Sequence, residues 1–184
     1  TLFILLFSSS LVADDISDFQ IEGISVGDNL LDYFSEYEIK NNIRKEAYTY
    51  KKDKKFLTAQ FEKFSFFNTY DFVVVSYKII DKNNYEIGSV SGGILYNNNM
   101  SKCILKQDEI ISDFSSILIG FDKNEKYSAN HPSDDSGKSK YTSIWHSFKG
   151  GEIAIHCLDW SEEIGWQDNL RVAINSNEFE KWIE

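Results

Sequence analysis

Positive charge is in short supply in this chain. Nineteen Lys and Arg stand against 29 Asp and Glu, for a formal net charge of −10 over 184 residues. Holding a nucleic-acid backbone takes clustered Lys and Arg, and an anionic membrane surface takes a basic patch. The charge argues against both. The one basic run, Lys51-Lys52-Asp53-Lys54-Lys55, reads as a solvated turn. Only Arg44 and Arg171 are arginine, there is one Pro, and Asn and Ile are frequent, a bias expected of an AT-rich genome. Internal repeats and low-complexity linkers are missing, which leaves one domain, long enough to bury a core without staples. Aromatics at 15% and hydrophobics at 42% argue against disorder.

Charge is also missing from Thr1 to Val12, where Leu2-Phe3-Ile4-Leu5-Leu6-Phe7 gives way to Ser8-Ser9-Ser10-Leu11-Val12-Ala13 and then Asp14-Asp15. An apolar run ending in small residues is what signal peptidase recognises, so residues 1–13 are expected to be the tail of a secretory signal peptide, truncated at its start, with Ala13 at the cleavage point. About 12 apolar or small residues fall short of the roughly 20 that span a bilayer. No Cys follows the cleavage point, so a lipid anchor is not indicated.

The remainder, 14–184, alternates strand and helix signals. Asp28 or Ser25 is expected to cap a short helix through Asn29-Leu30-Leu31-Asp32-Tyr33-Phe34, and Ser35 with Glu38 has capping-box spacing. Strands are predicted at 56–61, 70–80 and 85–96, with Gly92-Gly93 marking a bulge or a close backbone approach. Met100 to Leu118 has helical periodicity, with Cys103, Ile110, Phe114 and Ile117 on the buried side and Gln107, Asp108 and Glu109 on the polar side. Residues 122–140 read as a long polar loop. Tyr141–Lys149 and Glu152–Trp160 flank Gly150-Gly151 as a hairpin, and 169–174 is a last strand. Asn175 with Glu178 is expected to cap a helix anchored by Phe179 and Trp182.

Little of this carries chemistry. Cys103 and Cys157 form an even pair, which in an oxidising compartment means a disulfide and otherwise two buried thiols. With a two-residue Gly150-Gly151 loop, His146 and His156 point to opposite faces, so they share no metal; a three-residue loop would place them diagonally on one face. Even then zinc needs three or four ligands, and only Asp159 or Glu162 are at hand. Cys157 and His156 are strand neighbours facing opposite ways, which rules out their pairing as nucleophile and base. Asp134-Asp135 lacks the calcium-loop pattern, and neither Gly-Gly pair leads into a phosphate loop. Tyr141, Trp145, Trp160 and Trp166 concentrate aromatic surface, as an interaction platform if exposed or as core if not.

Ser91-Gly92-Gly93-Ile94-Leu95-Tyr96 with Lys102-Cys103, and Asp168-Asn169-Leu170-Arg171-Val172 ending in Phe179-Glu180-Lys181-Trp182, resemble exported proteins of small AT-rich marine alphaproteobacteria of the SAR11 type, as does the opening Asp15 to Phe34. That resemblance implies a Gram-negative periplasm and no particular activity. Gly23-Ile24-Ser25-Val26-Gly27-Asp28 leading into Leu30-Leu31-Asp32-Tyr33-Phe34 is also similar to the start of BamE-related outer-membrane assembly lipoproteins and the β-lactamase-inhibitor-like fold. The chain departs from these in lacking a lipobox Cys and in its extra helix and strands.

The expectation is an α+β protein with an antiparallel sheet of about five to six strands, short N-terminal helices, one longer packing helix and a short C-terminal helix. It would be a periplasmic or secreted, non-enzymatic protein that binds another protein or an envelope component through Tyr141, Trp145, Trp160 and Trp166. No catalytic residue, cofactor or metal is assigned. The alternatives are a hydrolase with a His/Asp site on the C-terminal hairpin and a carrier of a small apolar ligand.

Overall fold

A computed structural model describes residues 15–48, 51–62, 64–97, 99–117 and 125–184. The expected signal segment, 1–13, lies outside the described residues. Seven strands form one antiparallel sheet: β1 (Leu57–Glu62), β2 (Phe72–Asp81), β3 (Asn84–Leu95), β4 (Tyr127–Asn130), β5 (Lys140–Phe148), β6 (Gly151–Asp159) and β7 (Asn169–Ser176). Their order is β1-β2-β3-β7-β6-β5-β4, so two meanders meet where β7 returns beside β3. Among the described residues three α-helices accompany them, α1 (Glu36–Asn41), α2 (Met100–Ile117) and α3 (Asn177–Ile183), with 3₁₀ turns at Ile16–Asp18 and Leu30–Asp32.

The sheet has seven strands, not five to six. The extra one, β4, lies inside the stretch expected to be a polar loop. Its burial pattern is almost entirely exposed, so an edge strand of Tyr, Ser, Ala and Asn carries no apolar alternation to betray it. Two caps shift by a residue or more. Asn29 caps the Leu30–Asp32 turn, while Asp28 instead accepts from Ser25 N and from the Tyr33 hydroxyl. Ser176 caps α3, leaving Asn175 in β7 opposite Ser89. Ser35 and Glu38 do form a capping box at α1.

One face of the sheet is sealed. Phe34 stacks on Phe61 at 3.7 Å over the β1 side, and α2 lies over β6 and β7. Cys103 of α2 is bonded to Cys157 of β6, with Cα atoms 5.9 Å apart. Gln107, expected on the polar side of α2, is fully buried; its Nε2 donates to the Thr142 and Ile155 carbonyls at 3.0 and 2.9 Å. It acts as a polar clamp between helix and sheet. The Ile117 side chain lies outside the described residues.

Among the described residues the one helix on the other face lies at one end of it. There α3 sets Phe179 and Trp182 against Phe56 and Tyr48, and Glu178 accepts from Lys78 and Lys55. Gly92 and Gly93 mark close approaches and not a bulge: a Cβ on either would collide with the ring of Tyr70 or Phe72. The bulge of this ribbon lies elsewhere, where Ser76 pairs with Ser89 but Tyr77 with Ile87.

A candidate ligand-binding face

The hairpin register decides which side chains share the open face. Phe148 pairs with Gly151, so the connecting residues are Lys149-Gly150 and not Gly150-Gly151. Gly150 takes the left-handed conformation (φ 88) that the turn requires. Gly151 is a strand residue whose Cβ would strike the Asn175 carbonyl. Pairing moves by two residues, an even number, so the expected parity holds. His156 opposes Ser143, His146 opposes Ile153, and the two imidazoles face opposite sides. His146 lies with Phe148 on the sealed side, and Phe148 packs on Phe19.

Parity places Tyr127, Tyr141, Trp145 and His156 on the open face. Loops add His131, Trp160 and Trp166. The rings run in an unbroken series: Trp145 to Tyr127 at 6.3 Å, Tyr127 to Tyr141 at 6.0 Å, and Tyr141 to His131 at 5.7 Å. His131 then meets Trp160 at 4.2 Å, and Trp160 meets Trp166 at 4.5 Å. All four aromatic residues singled out from the sequence thus belong to one series, with Tyr127 and His131 as the links that were missed. Trp145, Tyr127 and Trp166 are 45%, 50% and 46% exposed, while Tyr141, His131 and Trp160 are half-buried beneath them. Beside these rings the aliphatic side chains of Ala154 and Leu158 on the same face are buried, so the exposed large apolar side chains here are aromatic.

A buried carboxylate holds this arrangement. Asp134 accepts from Ser136 N and Ser139 N at 2.9 Å, from Ser139 Oγ at 2.6 Å and from Ser161 Oγ at 3.1 Å. Those bonds hold its carboxyl well below the usual carboxylate range. They also tie the 131–139 loop to Ser161, next to Trp160, and the His131 amide closes the loop on the Ser139 carbonyl at 2.8 Å. Its oxygens are taken up by these donors, which satisfies the buried acid. His131 Nδ1 accepts from Ser133 N at 3.1 Å, which puts the proton of the neutral imidazole on Nε2.

Beside the ring series, one row crosses the sheet: Phe72 of β2, Gly93 of β3, Arg171 of β7, His156 of β6 and Ser143 of β5. Ser143 Oγ and His156 Nδ1 share a 2.6 Å hydrogen bond. Burial, then Arg171 and His131, push His156 down to about 4, so it is neutral at neutral pH. Burial also lowers His131, with Arg171 adding to it and Asp134 opposing. The Ser143–His156 pair is not arranged for nucleophilic catalysis. Ser143 is only 1% exposed, so a substrate carbonyl has no path to Oγ. Asp159 pairs with Lys140 at the end of the hairpin far from His146.

Among the described residues no group of three or more His, Cys, Asp and Glu is placed to hold a metal ion, and no helix is long and apolar enough to cross a membrane. An open cleft of about 400 Å³ lies at the β1 edge, lined by Asn41, Asn42, Ile43, Arg44, Gln60 and Glu62. Its lining is polar. Comparison with protein families, curated proteins and solved structures found no match to the chain.

Proposed function

We propose that this is a periplasmic, non-enzymatic binding protein whose open sheet face docks another protein or an envelope component. The observation that carries the reading is the continuous ring series from Trp145 to Trp166, half exposed at both ends. Large aromatic rings bring contact area at small entropy cost and dominate binding hot spots. A sheet that only needed a core would bury such rings, as this chain does with Phe34, Phe61 and Tyr77 on its sealed side. The disulfide across α2 and β6 suits an oxidising compartment. Neither alternative draws similar support: the described cleft is polar where an apolar carrier needs an enclosed apolar cavity, and the hairpin histidines diverge.

The test is a paired affinity capture from envelope extract, using the exported form and its Trp145→Ala/Trp166→Ala double variant. Both sites are on the surface, so the variant is expected to melt within about 0.5 kcal/mol of the parent. The reading expects at least one component to be captured by the parent and lost by the variant. Identical capture by both refutes it.

A further inference from the structure

Two of the chain's 19 basic residues are arginine, and their circumstances differ. Arg44 is engaged: Nε donates to Glu46 at 2.7 Å and Nη1 to Gln60 at 2.6 Å. Arg171 stands near the middle of the sheet, between Gly93 and His156. Its guanidinium lies over the Phe72 ring at 5.7 Å, and among the described residues its buried Nε has no hydrogen-bond partner. Gly93 makes this support possible, since only a residue without Cβ lets the Phe72 ring lie across β3.

Among the described residues no carboxylate bears on this cation. The groups whose charge bears on it are the Tyr48 hydroxyl, which favours it, and Arg44, which opposes it. Nearby acids are committed elsewhere: Glu46 to Arg44, Glu62 to Gln60 Nε2 at 2.8 Å, and Asp134 to its serines. Leaving a half-buried guanidinium unpaired is costly in a chain with acid to spare. Arginine in place of lysine also matters. Its planar fork, stacked on a ring, offers a fixed pair of donors that a flexible ammonium does not.

We propose that Arg171, with His131 and His156 beside it, anchors an oxyanion-binding subsite for a carboxylate or phosphate group, borne by a ligand whose body lies along the ring series. The anchor stands on its own observations; the placement of the ligand's body rests on the aromatic-face reading. The His131 imidazole supplies a neutral N–H donor from Nε2, His156 borders the site as a neutral ring held by Ser143, and the positive charge is that of Arg171. This arrangement suits a singly charged oxyanion group.

Having only two arginines makes the test clean, because the side-chain Nε–H spectrum of the protein carries two signals. The ¹⁵N-labelled exported form is titrated with inorganic phosphate, with glucuronate and with chloride at matched ionic strength. The expected result is a saturable shift of the Arg171 signal, half-complete below about 10 mM, with phosphate, glucuronate or both, while Arg44 and the chloride arm stay flat. Arg171→Lys is expected to weaken that binding about tenfold. Absence of a saturable shift with either oxyanion overturns the proposal, even if the variant fails to fold; so does an equal shift at Arg44, or unchanged affinity in the lysine variant. Trp145→Ala/Trp166→Ala is expected to leave phosphate binding intact. Loss of envelope capture by that variant with phosphate binding retained is the result both readings predict; unchanged capture with phosphate binding retained marks failure of the ring-series reading alone, and loss of capture with no saturable oxyanion shift in the parent marks failure of the anchor alone.

Discussion

Removing the Cys103–Cys157 bridge is the perturbation with the largest stability cost the fold allows to be worked out. The bond spans 54 residues, and closing a loop of about 55 residues removes roughly 14 cal/mol/K from the unfolded chain, or about 4 kcal/mol at 25 °C. That is a large part of the roughly 5–15 kcal/mol by which a domain of this size is stable. Both half-cystines are essentially inaccessible, between α2 and the sealed face, so mild reductant is expected to leave the native bond intact until the chain opens. The assay is urea unfolding of the parent and of a Cys103→Ser/Cys157→Ser double variant. With a slope of about 2 kcal/mol per M, the midpoint is expected to fall by about 2 M. A shift under about 0.5 M would refute the argument, since it would mean that α2 docks on β6 and β7 without needing the tether.

Other expectations follow from single residues. Burial, with Glu152 adding to it, raises Glu180 to about 7. A raised carboxyl favours folding while protonated, so its contribution is complete below about pH 4.5 and is lost as pH climbs through 7. After allowing for its partial exposure, Glu180→Gln is expected to gain about 1–2 kcal/mol at pH 8 and nothing at pH 4, read by thermal melts across pH. His156, held down to about 4, has the opposite sign. Its contribution is present above pH 6.5 and lost as pH falls toward 4, and a Ser143→Ala variant, deprived of the 2.6 Å bond, is expected to lose about 1 kcal/mol at pH 7. Gly93→Ala drives a methyl into the Phe72 ring, with an expected loss of about 1–3 kcal/mol by denaturation.

Much of the fold was legible where periodicity reports burial. Val73, Val75, Leu170, Val172 and Ile174 alternate onto the sealed face, and α2 spans Met100–Ile117 as its apolar spacing implies. What stayed hidden was set by partners. The strand β4 exists because β5 offers it a ladder, and its own residues give no signal. Gln107 looked like a surface residue because nothing in a sequence shows two strand carbonyls waiting for its amide. The ring series was half visible, as a local excess of Trp and Tyr. His131 entered it only through the loop that Asp134 folds. Arg171 gave the least warning: one polar position in an alternating strand is ordinary, and only the Phe72 stack and the unpartnered Nε set it apart.

The four tryptophans allow the open face to be tested with an internal control. Trp145, Trp160 and Trp166 belong to the ring series, whereas Trp182 packs from α3 against Phe56 and donates to the Asp53 carbonyl at 3.3 Å. Recording the four indole N–H signals of the ¹⁵N-labelled protein while soluble envelope extract is added reads both regions at once. Binding on the aromatic face predicts that the Trp145 and Trp166 signals shift or broaden while Trp182 keeps its position. Four unmoved signals, or a response led by Trp182, would contradict it.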